Sequence, residues 1–249
     1  MRFIAAFCAL GATCNAFVVQ QRTPAKLPAL KMVCSESNDV PVSIMGGHMK
    51  TWKVDPVSQK CHVNLKTNGR PVNAEINLWH GPDYSPSLMK VWLEDGLQYP
   101  LNVVMNPKGH GIDTVQVQNT AQMEFPLTTQ VGQGDGASGI YKSPGDLVMT
   151  SQPRLVQGAG AVVSCPIDTS VQRVQVGMHA TEARNVKFIL ELLQGPNNVK
   201  QSIEFYASNG YKTPFYAVFD TPGSGYVVRI KNEYPLEFPI NAYVEPFNG

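Results

Sequence analysis

Hydrophobic and polar residues alternate along many short stretches of this chain. The clearest stretch covers residues 72–78, where Val, Ala, Ile and Leu alternate with Asn, Glu and Asn. A similar alternation returns in residues 186–192. A two-residue period places the apolar side chains on one face of a β-strand. The pattern therefore predicts strands that bury one face.

The order of turn residues also occurs twice. Gly81-Pro82 returns as Gly195-Pro196, and Asp95-Gly96 returns as Asn209-Gly210, so positions 81 and 95 map onto 195 and 209 with an offset of 114. Glycine and proline adopt special backbone angles, so shared positions of these residues indicate shared turns. The sequence therefore predicts an internal duplication.

The duplication divides the chain into predicted segments. A first β-unit covers residues 40–131, a second covers residues 161–247, and the intervening 132–160 is rich in Gly, Ser and Pro and is predicted as a linker. Each unit has about the size of a small β-sandwich. The predicted fold class is all-β, with two tandem homologous β-sandwich-like units.

The two aligned dipeptides Asp95-Gly96 and Asn209-Gly210 each follow a predicted strand. Such dipeptides are typical of a type I′ hairpin turn, in which both central residues have positive φ. We therefore expect residues 99–105 and 213–219 to return as the second strands of hairpins.

Large apolar side chains also occur at the positions that alternate with the inward set. They are Trp79 and Trp92, which align with Leu193 and Tyr206. Large apolar groups on an outward face favour a contact surface, here for self-association. Two other interpretations remain. The second face of the strands is covered by a partner sheet or sister unit, or the rings form a platform for sugars.

Composition agrees with a globular β-protein and argues against one class of partner. The chain has 43% hydrophobic and 16% charged residues, with 21 glycines and 19 prolines, which favours short strands joined by turns. Four of the 20 basic residues precede the first acidic residue, Glu36, so 16 basic residues face 19 acidic ones in the rest of the chain. A nucleic-acid partner would need a basic face, and we expect none.

The first residues have the composition of a targeting sequence. Arg2 precedes a short apolar run, which predicts a signal peptide over residues 1–16. Residues 17–32 are basic and contain no acid, which predicts a transit segment. Asn15-Ala16-Phe17 resembles the presequences of algae with red-type complex plastids. Secretion is the alternative location.

Candidate chemistry is sparse. Residues 134–139 fit the pattern G-x-G-x-x-G, but no strand precedes them and no helix follows, as a phosphate site requires. The histidines have no ligand spacing and are interpreted as surface or turn residues; they are His48, His62, His80, His110 and His179. Cys34, Cys61 and Cys165 are an odd number with no disulfide pattern, and their role stays open. We expect no catalytic residue, metal or cofactor.

Several strings of residues resemble the pyrenoid shell proteins of diatoms and related algae. They are residues 77–86, 89–96 and 124–127, and the likeness covers most of residues 40–247. The resemblance implies a non-enzymatic structural protein that self-assembles into a sheet around the Rubisco-containing pyrenoid and supports CO2 concentration and fixation. It implies a location in the chloroplast stroma at the pyrenoid periphery. The implied partners are the chain itself, paralogous shell subunits and the Rubisco matrix.

Two other classes of protein fit parts of the sequence. One is a secreted or plastid β-sandwich module that binds a ligand or carbohydrate, for which paired cysteines or glycosylation sites would be expected. The other is an accessory subunit of a photosynthetic membrane complex. That class needs a membrane anchor, and no apolar stretch of about 20 residues follows the targeting segments.

Overall fold

The structure is a computed structural model, and it describes residues 40–56, 58, 60–81, 84–107, 113–133, 147, 151–235 and 237–247. These residues belong to one compact unit that spans Cys34–Gly249. The predicted signal peptide and transit segment lie outside the described residues, as do Cys34, Pro82, His110 and the glycine-rich stretch 134–139.

The described residues form sixteen β-strands. The first eight are β1 (Val42–Ile44), β2 (Met49–Lys53), β3 (Cys61–Lys66), β4 (Val72–His80), β5 (Ser87–Leu93), β6 (Leu101–Met105), β7 (Asp113–Asn119) and β8 (Leu127–Gln133). The second eight are β9 (Arg154–Val156), β10 (Ala161–Pro166), β11 (Arg173–His179), β12 (Val186–Gln194), β13 (Val199–Ala207), β14 (Phe215–Asp220), β15 (Tyr226–Asn232) and β16 (Ile240–Pro246).

The strands form two antiparallel sheets of eight strands each. Sheet A has the order β1-β8-β3-β6-β14-β11-β16-β9, and sheet B has the order β10-β15-β12-β13-β5-β4-β7-β2. The main hydrophobic core draws buried side chains from strands of both sheets. Two sheets packed over a shared core are a sandwich-like arrangement. This confirms the prediction of an all-β fold.

Each half of the chain contributes four strands to each sheet. Each strand of the first half has an equivalent strand in the second half, whose number is higher by eight. For example, β6-β3-β8-β1 corresponds to β14-β11-β16-β9 in sheet A. The order is compatible with the predicted duplication. The two halves share both sheets, and the exact unit boundaries stay a prediction.

The halves meet along a seam in each sheet, formed by β5 with β13 and by β6 with β14. In sheet B, Met89 pairs with Phe205 and Val91 pairs with Ile203. With the offset of 114, Met89 is equivalent to Ile203 and Val91 is equivalent to Phe205, so the two pairs are equivalent to each other. Lys90 is equivalent to Glu204, which is also the residue that it pairs with. In sheet A the pairing follows the same offset. The seam therefore has the pairing of an isologous two-fold contact inside one chain.

The predicted inward side chains of β4 do face the core. The apolar residues at 72, 74, 76 and 78 have exposed fractions of 3% or less. At the centre, three rings connect the two sheets. Phe188 and Phe205 of sheet B lie with centroids 5.0 Å apart, and Phe215 of sheet A meets them edge-on at 5.5 and 5.2 Å. Such ring pairs add about 0.5–1.5 kcal/mol each to the burial term.

A buried asparagine connects the sheets in each half. The Asn119 side-chain amide on β7 donates to the carbonyl oxygen of Ile44 on β1 at 2.9 Å and to that of Phe125 at 2.8 Å. The aligned Asn232 makes the matching bonds in the second half at 3.1 and 2.9 Å. Both asparagines are at most 1% exposed, and their amides are satisfied by backbone carbonyls, as burial requires.

The predicted hairpin turns are wrong. β5 lies in sheet B and β6 in sheet A, so the connection at Asp95-Gly96 crosses between the sheets, and the connection at Asn209-Gly210 does the same between β13 and β14. Neither Gly96 nor Gly210 has positive φ. Instead, the Asp95 carboxylate accepts from the amides of Leu97 and Gln98, at 2.7 and 3.2 Å. An aspartate that binds the amides two and three residues ahead favours this turn over a hairpin.

Glycine is required at these turns because other parts of the chain approach closely. A Cβ at Gly210 would lie 2.4 Å from Cγ1 of Val186 and 3.1 Å from Cβ of Ala180. A Cβ at Gly96 would lie 2.5 Å from Oγ1 of Thr67. By contrast, the turn glycines Gly81 and Gly195 do have positive φ, at 70° and 80°.

The stretch predicted as a linker contains regular structure. β8 continues to Gln133, and β9 lies wholly within 132–160. β9 pairs antiparallel with β16, where Leu155 is opposite Asn241. The sequence did not predict β9, because three residues give too short an alternation to detect and the surrounding Gly, Ser and Pro are typical of a loop.

Candidate interaction surface

The outer face of sheet B carries the aromatic residues singled out in the sequence. Trp92 lies on β5 between Asn73 of β4 and Ser202 of β13. Its exposed fraction of 36% is large for a tryptophan in a strand near the middle of a sheet. The ring borders a groove of about 300 Å³ that is also lined by Glu75, Lys90 and Glu204.

Trp79 and Tyr206 lie on the same outer face and are half-buried. The Trp79 indole N–H donates to the side-chain oxygen of Gln116 at 3.0 Å, so its polar edge is satisfied within the chain. Tyr206 on β13 faces Leu88 on β5 across the seam. The strand alternation thus places Trp79, Trp92 and Tyr206 on one outer face, and we refer to these three residues as the aromatic surface.

Leu193 does not belong to this surface. It is 2% exposed, and the pairing of β12 with β13 shifts register between Leu192 and Leu193. A bulge breaks the strict two-residue alternation on which the prediction depended. Its assignment as an exposed contact residue is therefore corrected.

Charged pairs lie on one side of the aromatic surface, at β12, β13 and β15. The Lys187 ammonium lies 3.0 Å from a carboxylate oxygen of Glu233 and 3.2 Å from one of Glu204. The Lys187 ammonium donates to both carboxylates, and these hydrogen bonds raise its pKa, with Glu233 as the larger cause and Glu204 as the second. Arg229 and Glu191 form a further pair at 2.6 Å. Exposed pairs contribute little stability. They place charged groups beside the apolar rings, and protein contacts commonly have polar residues at their margin.

A second groove lies next to the first at the start of β4. It has a volume of about 440 Å³ and is lined by Arg70 and Phe125 among other residues. The Arg70 guanidinium lies over the Phe125 ring at 5.2 Å, and Arg184 lies over Phe238 at the same distance. These matching cation–π pairs hold the loop after β7 and the loop after β15 in the same way.

One histidine has a partner that the sequence did not suggest. His80 at the end of β4 makes a short side-chain contact with Asp113 at the start of β7, and Asp113 is 2% exposed. The His80 ring also lies 5.9 Å from the ring of Tyr84. The interpretation of His80 as a surface or turn residue is wrong, because His80 is the last residue of β4. Its spacing in sequence did not suggest Asp113, because the two residues are 33 positions apart and meet through the β4–β7 pairing.

The two cysteines among the described residues lie on β3 and β10. Cys61 and Cys165 are free and buried. Burial raises the pKa of the Cys61 thiol to about 12, so the reactive thiolate is scarce at neutral pH. Burial also raises the pKa of Cys165, with nearby Arg154 acting in the opposite direction. Among the described residues, no group of three or more His, Cys, Asp or Glu side chains is placed to hold a metal ion.

In the part of the chain that the structure describes, no helix is long and apolar enough to cross a bilayer.

One protein family matches most of the chain. The model of the diatom pyrenoid shell protein family matches residues 35–246. The chain belongs to this family. Diatom pyrenoid shell proteins are named for a structure around the pyrenoid, so membership implies a structural role and a plastid pyrenoid location. The match confirms the resemblance that residues 77–86 and 89–96 carried.

Other comparisons add little. The chain is similar to a solved structure titled "Crystal structure of PBSX exported protein XepA", with 11% sequence identity, a TM-score of 0.25, and coverage of 83% of this chain and 85% of that chain. At this TM-score the likeness supports no conclusion about fold or function. No curated protein matches the sequence.

Proposed function

We propose that this chain is a non-enzymatic structural subunit that assembles with copies of itself into a protein sheet around the Rubisco-containing pyrenoid of a complex plastid. The sheet lies at the pyrenoid periphery in the stroma, where it supports CO2 concentration and fixation. Paralogous shell subunits and the Rubisco matrix are further partners in this proposal. The family match over residues 35–246 is the observation that carries it.

The aromatic surface supports self-association. An exposed Trp92 beside a groove, with half-buried Trp79 and Tyr206 on the same face, offers apolar area next to charged residues. Aromatic residues that lose water at the centre of a contact supply much of the binding energy of protein interfaces. A second copy of the chain is the partner that a sheet requires.

The duplicated arrangement also suits an extended assembly. The two halves meet across a seam with two-fold pairing, so the chain presents topologically equivalent edges at opposite ends of each sheet. A subunit with contacts at more than one place joins several neighbours at once, and contacts that do not close on themselves build arrays.

Sizing of the purified full chain, followed by electron microscopy of the largest species, tests the proposal. We expect material far above 27.2 kDa that contains thin sheets or tubes with a regular repeat. A chain that stays monomeric at all concentrations tested would contradict self-assembly. Imaging a tagged chain together with Rubisco tests the location, and a signal outside the plastid would contradict it.

A further inference from the structure

The four outer edges of the two sheets are protected to different degrees. Edge strands expose unpaired backbone groups, and proteins usually shorten such strands or place charges on them. In sheet A, β1 and β9 have only three residues each, and β9 carries Arg154. In sheet B, β2 carries Lys50 and Lys53. These three edges have the usual protection against pairing with another chain.

The edge strand β10 has neither form of protection. It has six residues, Ala161–Pro166, and contains no charged side chain. All six pair with β15 on one side, and β10 is the last strand of sheet B on the other. Val162 is 52% exposed, and Ser164 is exposed on the same face. Among the described strands, β10 is therefore the longest uncharged edge, and it is open to pairing up to Pro166, which has no N–H to donate.

The equivalent strand shows what has changed. Trp52 of β2 pairs with Val115, and Cys165 of β10 pairs with Val228, so β2 and β10 align with Trp52 at the place of Cys165. On this alignment, Lys50 corresponds to Val163. An edge lysine turned towards the core side of a sheet is a known protection against pairing. The first half has this protection and the second half does not.

We propose that β10 pairs antiparallel with β10 of a second copy of this chain, across a true two-fold axis, so that sheet B continues from one subunit into the next. This inference rests on the proposed function and names one of its contacts. The chain already uses the same geometry internally, where β5 and its equivalent β13 pair antiparallel across the seam. Pairing with β2 of a second copy is disfavoured by Lys50 and Lys53.

Two central registers of the β10 pair allow the outer face of sheet B to continue from one subunit into the next. Val162 and Ser164 are exposed on one face and buried Cys165 lies on the other. Directly opposed residues share a face, so Ser164 is opposite either Ser164 or Val162 of the second copy. A two-fold strand pair joins two subunits only. Growth into an array needs a second, different contact, which the aromatic surface supplies.

Matched lysine substitutions on the full chain test the edge. Val162→Lys adds a charge at the edge of β10, and Met49→Lys adds one at the aligned position of β2, where Met49 is 58% exposed. We expect Val162→Lys to raise the dissociation constant of the dimer at least about tenfold in sedimentation equilibrium, and Met49→Lys to leave it unchanged. Circular dichroism should show both variants folded.

Disulfide trapping fixes the partner and the register. Ser164→Cys alone, or mixed with Val162→Cys, should give a covalent dimer on mild oxidation, because opposed residues in antiparallel strands lie within disulfide reach. The unchanged chain and Thr51→Cys on β2 are the controls. If wild-type chain assembles but Val162→Lys changes nothing and no trap forms, the edge proposal is wrong and the proposed function stands. An effect of Met49→Lys equal to that of Val162→Lys also overturns it. A chain that never associates overturns both.

Discussion

Substitution of Gly210 tests whether close approach, and not an unusual backbone angle, makes glycine necessary at the turns between sheets. A Cβ at this position would lie 2.4 and 3.0 Å from the two methyl groups of Val186 and 3.1 Å from Ala180 Cβ. These neighbours are buried core side chains, so they have little room to move. Overpacking of this kind costs about 1–3 kcal/mol.

The turn backbone is also held on both sides. The Gly210 amide donates to the carbonyl oxygen of Arg184 at 2.7 Å, and its carbonyl oxygen accepts from the Ala180 amide at 3.2 Å. A shift that relieves the clash would lengthen one or both bonds, each worth about 0.5–1.5 kcal/mol. We expect Gly210→Ala to lower the free energy of unfolding by about 2–3 kcal/mol, measured by urea unfolding of the full chain.

A double-mutant cycle with Val186→Ala identifies the cause. Val186→Ala alone should cost about 2 kcal/mol through the cavity it leaves. Because it removes both methyl groups that meet the new Cβ, the double variant should be more stable than the sum of the single effects predicts, by about 1–2 kcal/mol. Strictly additive effects would refute the steric explanation, since removing Val186 methyl groups cannot relieve a backbone angle.

Three further outcomes are expected. Trp92→Ala should weaken self-association roughly thirtyfold with a nearly unchanged thermal midpoint. Tyr211→Ala removes a ring that is 61% exposed outside the aromatic surface, and it should leave self-association unchanged. Unfolding of the Trp92 variant would place that residue in the core instead. Burial raises the pKa of Cys61 from 9.0 to about 12, so its contribution to stability is full below pH 9 and is lost as the pH rises through about 12. Cys61→Ala should therefore reduce the loss of stability between these pH values, and an unaltered pH profile of stability would contradict this. Asn119→Ala and Asn232→Ala should each cost at least about 2 kcal/mol in urea unfolding, because one buried and one part-buried hydrogen bond to a carbonyl oxygen are lost in each case. A cost below about 1 kcal/mol at both positions would show that water replaces the amide.

The sequence was informative about strands and their buried faces. The alternation in residues 72–78 and 186–192 identified β4 and β12, because a sheet with one buried face imposes a period of two on the chain. The same alternation placed Trp92 outward. It could not place Leu193, because a bulge is set by how two strands pair and leaves no local pattern.

Pairing between distant strands was beyond reach of the sequence. Asp95-Gly96 is compatible both with a hairpin and with a turn that crosses between sheets, and only the positions of β5 and β6 in different sheets decide between them. The His80–Asp113 contact and the unprotected edge of β10 depend in the same way on which strands are neighbours. Local propensity carries no information about such long-range choices.

The pairing of Lys90 with Glu204 at the centre of the seam shows what one continuous chain permits. In a dimer of identical chains, the residue on the two-fold axis faces its own copy, so a lysine there would meet a lysine. Two covalently joined halves are free to differ, and here opposite charges face each other where symmetry would have forced repulsion. For the same reason, the two outer edges of a sheet in this chain can differ in sequence. Its two ends carry edges that differ in charge, so a subunit of this kind can distinguish one neighbour from another.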